Sequence, residues 1–273
     1  MPAIVRRTPS QLAERLADGR LVEAAPSDQN AVDLFGDTWA SAIPLPGVTS
    51  GPGALFTDPR VAWLLDGVGP LDGMDVLELG ALEGGHTAML LKRGAAHVTA
   101  IEANASAFLR CLVAQNLLGL SRAKFMLGNF EKLLERRGTR FDLILASGVL
   151  YHLQDPLRVL QDIVASTDRV CIWSHFYDPA GIRSAFGGRN PFSGRCWPRS
   201  LGGSTLTYHE LDYGKLRRSR LFRGGVGATA IWLELDEVVS FLQTSGFAVE
   251  VGHHARETPG GPAACVRATR DRS

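Results

Sequence analysis

A glycine-containing turn in residues 75–86, DVLELGALEGGH, is the first place in the sequence where chemistry can be assigned. Apolar residues lead into Gly80 and Gly84, and a helix is expected to follow. Glycines let the backbone approach a ligand closely, and a helix N-terminus offers N–H groups without intrahelical partners. The pattern therefore predicts a site for a nucleotide-like ligand.

Side chains suited to the rest of a nucleotide follow two further apolar runs. Glu102 ends the second run, where a carboxylate can accept hydrogen bonds from both ribose hydroxyls, each worth about 1.5–3 kcal/mol. Asn129 and Phe130 follow the third run and offer an amide oxygen and an aromatic face to a base. Ligands of open α/β sheets bind at the carboxyl ends of strands, so these positions are expected to share one site.

Short apolar runs alternate with helical segments from residue 74 onward, which is typical of repeated βα units. Strands are predicted at residues 75–79, 97–102, 124–127, 141–146, 170–174, 247–253 and 263–269, and helices at 84–93, 104–118, 130–136, 156–165 and 235–244. We therefore expect an α/β fold with a mostly parallel seven-stranded sheet and an antiparallel last strand.

Residues 1–73 are predicted to form an N-terminal cap with lead-in helices, and residues 74–273 the main domain. One lead-in helix is expected to begin near Pro9, which suits the first helical position, and another to cover residues 60–65.

An insertion rich in Gly, Arg and Ser interrupts the main domain at about residues 178–229. We expect a flexible cover that determines the substrate, because long loops of this kind often carry function. It contains a basic run, Lys215, Arg217, Arg218, Arg220 and Arg223. Such a run could bind phosphate or carboxylate on a substrate or follow an RNA backbone, and it could equally be a solvated loop.

Composition excludes several classes of protein. Hydrophobic residues make up 45% and charged residues 21% of the 273, so the chain can bury a core and is not disordered. The net charge of +1 gives no overall attraction to nucleic acid or anionic lipid. Four scattered cysteines argue against a disulfide scaffold or a zinc cluster. With neither a secretory signal nor an apolar span, a cytoplasmic protein without a membrane partner is predicted.

The ordered set of motifs resembles class I S-adenosylmethionine-dependent methyltransferases over about residues 74–174. Residues 78–84 resemble their first motif, Glu102 their ribose-binding acid, residues 128–130 their adenine-contacting motif and residues 142–147 their fourth motif. The resemblance implies a Rossmann-like methyltransferase fold with S-adenosylmethionine as cofactor. The cofactor-binding residues that it implies are Glu78, Gly80, Ala81, Gly84, Glu102, Ala103, Asn129, Phe130 and Ser147.

Within this class, residues 147–156, SGVLYHLQDP, are most similar to the branch containing bacterial enzymes that modify the tRNA wobble uridine. Those relatives use a carboxylated cofactor, but the chain has no upstream segment like Lys-Gly-Pro-Phe, so ordinary S-adenosylmethionine is expected. Two residues depart from the class pattern: Leu82 replaces the middle glycine of the first motif, and Asn129 replaces a common aspartate. Leu82 is compatible with binding if its φ is negative, and Asn129 can still accept from the adenine amino group.

Three residues after the fourth and fifth predicted strands, Tyr151, His152 and His175, are the candidates for catalysis. Methyl transfer depends on positioning, and it needs a general base only if the acceptor must lose a proton. His152 has a suitable ordinary pKa but could instead pack beneath the cofactor, and Tyr151 could be a core aromatic. The His-x-x-Asp spacing after the fifth strand is too common to indicate a metal, so none is expected.

We therefore expect an S-adenosylmethionine-dependent methyltransferase acting on an O or N nucleophile of a small molecule, such as a biosynthetic intermediate. One alternative is a tRNA wobble-uridine modifying enzyme, favoured by the branch resemblance and the basic run. Another is a catalytically silent cofactor-binding protein, favoured by Leu82. A dinucleotide oxidoreductase shares the glycine turn, but nothing downstream suggests a hydride-transfer site. No oligomeric state is predicted.

Overall fold

The computed structural model of the chain describes residues 21–136, 138–188, 190–214, 224–258 and 260–270. The helix expected near Pro9 and the basic run from Lys215 to Arg223 lie outside these ranges. In the described part of the chain, no helix is long and apolar enough to cross a membrane.

Five strands form the parallel part of the main sheet: β1 (Asp75–Leu79), β2 (His97–Glu102), β3 (Ala123–Leu127), β4 (Leu143–Ser147) and β5 (Arg169–His175). β4 is buried along its whole length and β1 from its second residue onward. Continuous apolar runs of this kind are typical of strands covered on both faces.

The described helices are α1 (Asp28–Asp33), α2 (Pro59–Val68), α3 (Gly85–Lys92), α4 (Ala105–Leu117), α5 (Phe130–Leu134), α6 (Pro156–Ser166), α7 (Pro179–Ala185) and α8 (Leu235–Thr244). Local sequence explains where several begin. Asp58 and Asn104 accept backbone hydrogen bonds at the starts of α2 and α4, and α2, α6 and α7 have proline in the first turn.

The insertion contains a second, three-stranded antiparallel sheet of β6 (Phe192–Leu201), β7 (Ser204–Asp212) and β8 (Thr229–Trp232), with β7 in the centre. These residues therefore form a regular sheet where the sequence predicts a flexible loop. Leu206 and Tyr208 alternate into the main core, and the Tyr208 hydroxyl donates to Asp155 Oδ1 at 2.5 Å. This apolar alternation holds the sheet in place despite the surrounding glycines and arginines.

The main sheet ends in a hairpin of β9 (Ala248–Ala255) and β10 (Ala263–Thr269). Its strand order is β3-β2-β1-β4-β5-β10-β9, and β10 runs antiparallel to both of its neighbours. The predicted α/β fold, with a mostly parallel seven-stranded sheet and an antiparallel last strand, is confirmed.

The lead-in residues before β1 pack directly on the main sheet. Val61 and Leu64 of α2 are fully buried in one apolar cluster with Val76 and Leu143 of the sheet. Further upstream, Trp39 lies in a cluster that reaches α4. These contacts attach α2 and the segment before it to the main sheet and to α4.

Candidate active site

The strand order of the main sheet reverses between β1 and β4, since β2 and β3 follow on one side and β5 on the other. In open α/β sheets such a reversal leaves a crevice at the carboxyl ends of the two strands, where ligands bind. Gly80 follows β1 and Ser147 ends β4, so the first predicted motif and the fourth meet at this crevice.

The two glycines of the turn after β1 are required by close contacts. Gly80 has φ +77°, and a Cβ there would lie 2.5 Å from Val149 Cγ1. Gly84 has φ +76°, and a Cβ there would lie 2.9 Å from the Phe125 ring. Only glycine lets the chain after β4 and the ring from β3 approach this turn so closely.

Glu78 is a buried carboxyl group with one unused oxygen. Its side chain is 1% exposed, and Oε2 accepts a hydrogen bond from the Thr87 hydroxyl. Among the described residues, Oε1 has no hydrogen-bond partner. Burial raises the pKa of Glu78 to about 7. The side chain can therefore receive a donor or a positive charge from a ligand.

Glu102 joins the loop after β1 to the start of α4 through its two carboxylate oxygens. Oε2 accepts from the Leu82 N–H at 2.8 Å, and Oε1 accepts from the Asn104 N–H at 2.7 Å. Burial raises the pKa of Glu102 above its ordinary value. Each oxygen keeps a second lone pair, so the pair of ribose hydroxyls expected from the sequence can still be bound.

Leu82 has φ +51°, so the condition of a negative φ, under which this leucine is expected to be compatible with binding, is not met. Its N–H donates to the Glu102 carboxylate, and the carboxylate of the next residue, Glu83, accepts from the Ser41 N–H. These two attachments hold the turn on both sides of Leu82, whose left-handed conformation a glycine would adopt without strain.

Glu83 joins the turn to the lead-in segment, and sequence reasoning missed it. It is fully buried, and its carboxylate accepts from the N–H groups of Ala40 at 2.7 Å and Ser41 at 2.9 Å. Arg110 of α4 donates from Nε to Glu83 Oε1 at 3.0 Å. Because these partners lie 27 to 43 residues away, no local pattern could reveal the contact.

The residues predicted to receive a base occupy the start of α5. Asn129 Oδ1 accepts from the Glu131 N–H at 2.9 Å and so caps the helix, while keeping a second lone pair. Phe130 is partly buried against the main core. Of the other predicted positions, Ala81 is buried and Ala103 is exposed. Within the described part of the chain, the Ser147 hydroxyl has no hydrogen-bond partner.

Tyr151, His152 and His175 lie together at the carboxyl ends of β4 and β5. The ring centroid of Tyr151 is 4.1 Å from that of His152 and 4.7 Å from that of His175. Trp173 and Trp232 lie 6.0 Å from Tyr151 and complete what we call the aromatic cluster. Sequence reasoning missed both tryptophans, because Trp173 lies within a predicted strand and Trp232 comes from the unpredicted strand β8.

Both histidines of the aromatic cluster are neutral bases at neutral pH. Burial, with a smaller contribution from His175, lowers the pKa of His152 to about 4. Burial also lowers the pKa of His175. His152 Nδ1 lies 2.6 Å from the Tyr213 hydroxyl, and His175 Nδ1 lies 3.0 Å from the Gly261 carbonyl oxygen.

A charged group from α2 borders the aromatic cluster. The Arg60 guanidinium lies 3.9 Å from the centroid of Trp173 and donates twice to Asp58, at 2.9 and 2.6 Å. His86 Nε2 is 3.1 Å from the same carboxylate. Burial would raise the pKa of Asp58, but the hydrogen bonds from His86 and Arg60 outweigh it and keep that pKa well below its usual range. No cluster of His, Cys, Asp and Glu able to hold a metal occurs among the described residues.

The pH dependence of folding stability tests the environment of Glu78. The unfolded chain loses this proton near pH 4.5 and the folded chain near pH 7, so Glu78 destabilises the fold increasingly as pH rises between these values. The full effect is about 3 kcal/mol at 1.36 kcal/mol per pKa unit. In Glu78→Gln this contribution is absent, so the variant should gain stability relative to wild type between pH 4.5 and pH 8 in urea unfolding. The exposed Glu23, changed to Gln, is the control; a pH-independent difference for Glu78→Gln would contradict the assignment.

The backbone of Leu82 is tested by comparing Leu82→Gly with Leu82→Ala. Both variants remove the side chain, but only glycine relieves the positive φ, so the glycine variant should be more stable by about 1 kcal/mol. The control position is Leu112, which lies within helix α4. There Leu112→Ala should be more stable than Leu112→Gly by about 1 kcal/mol, because glycine destabilises a helix. Urea unfolding of the four proteins measures this reversal; the same order at both positions would be evidence against strain.

Comparison with known proteins agrees with this geometry. Residues 70–178 match a family model described as a methyltransferase domain. A search of curated proteins found no match. Among solved structures, the N-terminal domain of EvdMO1 in the presence of SAH and D-fucose is 21% identical with a TM-score of 0.64, and the match covers 90% of this chain and 95% of that domain.

Two further structures give the same fold. Complete EvdMO1 is 20% identical with a TM-score of 0.58, and the match covers 89% of this chain and 47% of that protein. Magnesium protoporphyrin IX methyltransferase (ChlM) from Synechocystis PCC 6803 with bound SAH is 16% identical with a TM-score of 0.53, covering 96% of this chain and 95% of ChlM. The chain therefore has a Rossmann-like methyltransferase fold, and the family match over residues 70–178 supports an S-adenosylmethionine-dependent methyltransferase domain of class I there.

Proposed function

We propose that the chain transfers a methyl group from S-adenosylmethionine to an O or N nucleophile of a small molecule. The observation that most supports this proposal is the position of Tyr151, His152 and His175. They meet at the carboxyl ends of β4 and β5, next to the crevice where β1 and β4 end. When bound, S-adenosylmethionine supplies an electrophilic methyl group on a positively charged sulfur. The chain itself must bind the cofactor, orient the acceptor and keep water away.

The residues at the crevice fit this cofactor. Glu102 keeps lone pairs for two ribose hydroxyls, and Glu78 and Ser147 each have a buried oxygen without a partner among the described residues. Asn129 keeps a lone pair for the adenine amino group, and Phe130 offers a ring face. The backbone at Gly80, Ala81, Gly84 and Ala103 completes the proposed cofactor-binding set.

The aromatic cluster is the proposed acceptor site. Its two histidines are neutral near pH 7, so each can accept a hydrogen bond or a proton. Its tyrosine and tryptophan rings provide apolar walls that exclude water.

We propose that two parts of the chain cover this site: residues 1–73 and the insertion at about 178–229. The rest of the main domain, residues 74–273, forms the site itself. Contacts of Glu83 with Ser41, and of His152 with Tyr213, support this arrangement.

A small-molecule acceptor is favoured over tRNA. ChlM is named for magnesium protoporphyrin IX, and the N-terminal domain of EvdMO1 was crystallised in the presence of D-fucose. The net charge of +1 offers no general attraction to RNA. The tRNA alternative depends on the resemblance of residues 147–156 and on the basic run from Lys215, which lies outside the described residues.

Labelled methyl transfer tests the function directly. Purified protein is incubated with methyl-labelled S-adenosylmethionine and a host extract separated into small-molecule and RNA fractions. We expect label in a small molecule, whose mass then identifies the acceptor. Label in RNA would instead support the tRNA alternative. Cofactor binding without transfer to either fraction would favour the silent binding protein.

Glu102→Gln tests the proposed cofactor site. Loss of the charged acceptor should weaken S-adenosylmethionine binding at least about tenfold, or about 1.4 kcal/mol, in isothermal titration calorimetry. Glu135→Gln removes a carboxylate that pairs with Lys132 on the surface and is expected to leave the affinity unchanged. Equal affinity for wild type and Glu102→Gln would place the ribose elsewhere.

A further inference from the structure

We propose that His175, through Nε2, is the group that takes the proton from the acceptor. This inference rests on the proposed function, specifically on transfer to an O–H or N–H group whose proton must leave.

The hydrogen bonds of His175 determine its tautomer. Nδ1 lies 3.0 Å from the carbonyl oxygen of Gly261 and 3.2 Å from that of Pro262. Carbonyl oxygens only accept hydrogen bonds, so Nδ1 must carry the proton. In the neutral ring Nε2 then carries the free lone pair, which is the arrangement a general base requires.

Ring contacts hold His175 in one orientation. Its imidazole stacks on Trp232 with centroids 5.3 Å apart and planes 11° apart, and it meets Trp173 with centroids 5.2 Å apart. The residue ends β5 and pairs with Ala263 of β10, so its backbone is also held by the sheet. A base held this firmly loses little entropy on reaching its reactive geometry.

Gly260 lies against the Nε2 edge of the His175 ring. A Cβ at Gly260 would lie only 2.7 Å from Nε2, so any side chain there would crowd the lone pair. The neighbouring Trp232 has a buried indole N–H without a hydrogen-bond partner among the described residues. A buried donor without a partner is costly, and it indicates that a polar atom of a ligand completes this part of the site.

His152 is less suited to accept the proton. Its Nδ1 lies 2.6 Å from the Tyr213 hydroxyl, which can donate or accept, so this contact does not determine the tautomer. Burial also lowers its pKa to about 4, which makes it a weak base near neutral pH. We assign His152 to orienting the acceptor together with Tyr151.

The proposed step is balanced. The O–H or N–H bond of the acceptor breaks, and its proton forms a bond to His175 Nε2, giving an imidazolium ion. The electron pair that remains on the acceptor forms the bond to the methyl carbon. The bond between methyl and sulfur breaks with its electron pair moving to sulfur, which becomes neutral in S-adenosylhomocysteine.

His175→Asn tests this step, since an asparagine amide can keep an N–H donor towards the two carbonyl oxygens while removing the base. With the acceptor identified by labelling, kcat should fall by about 10²-fold or more, while the dissociation constant for S-adenosylmethionine stays within about twofold. His152→Asn should reduce kcat less. His97→Asn is the matched control, because His97 lies at the amino end of β2, away from the carboxyl ends of the strands. Its kcat should equal that of wild type.

Nitrogen-15 NMR of the imidazole rings gives a readout independent of turnover. The His175 signals, assigned by their loss in His175→Asn, should be those of a neutral ring protonated at Nδ1. Gly260→Ala should lower kcat while keeping this tautomer. The inference would be overturned if the neutral His175 ring proved to be protonated at Nε2. It would also be overturned if wild type were active and His175→Asn had the same kcat. If the wild-type protein transfers label to no acceptor, the proposed methyl transfer is itself contradicted, and the proton-transfer role of His175 is contradicted with it.

Discussion

The buried carboxylate of Glu83 is the interaction on which the arrangement of the site depends. Burying a charge is costly unless it is paired and its lone pairs are used, and here two backbone N–H groups and the Arg110 guanidinium meet that condition. The contact attaches residues 40 and 41 to the turn after β1 and also holds that turn against α4. Removal of either charge would leave the other buried without its ionic partner, which would destabilise both the lead-in segment and the turn.

This attachment explains how leucine can replace the middle glycine of the first motif. Leu82 is held between Glu83 and the Glu102 carboxylate, and the hydrogen bonds on both sides offset the cost of φ +51°. The leucine departs from the motif and weakens the resemblance in sequence. Hydrogen bonds from residues that are distant in sequence compensate for this departure in the structure. Leu82 is accordingly no evidence by itself for a protein that binds the cofactor without using it.

Local signals predicted most of the main sheet but little of the proposed acceptor site. Strand β1, strand β10 and helix α8 begin and end at the predicted residues, because apolar runs bounded by glycine or polar residues specify them locally. The second sheet was missed because its alternation at Leu206 and Tyr208 is short and surrounded by Gly and Arg. The proposed cofactor-binding residues follow one another along the chain, so local motifs can indicate them. The aromatic cluster instead brings side chains of β5 and β8 together, and only the folded chain makes that contact.

The charges around the crevice are suited to a positively charged cofactor. The positive charge of Arg60 is balanced by the Asp58 carboxylate, to which it donates twice, and burial keeps His152 and His175 uncharged. These groups therefore add little repulsion. Glu78 has a pKa of about 7 in the protein alone, and a nearby cation favours its ionised form. A carboxyl group that opposes folding at neutral pH would then stabilise the bound state. Because a ligand that binds only the folded chain also stabilises it, cofactor binding and folding are coupled through this one buried side chain.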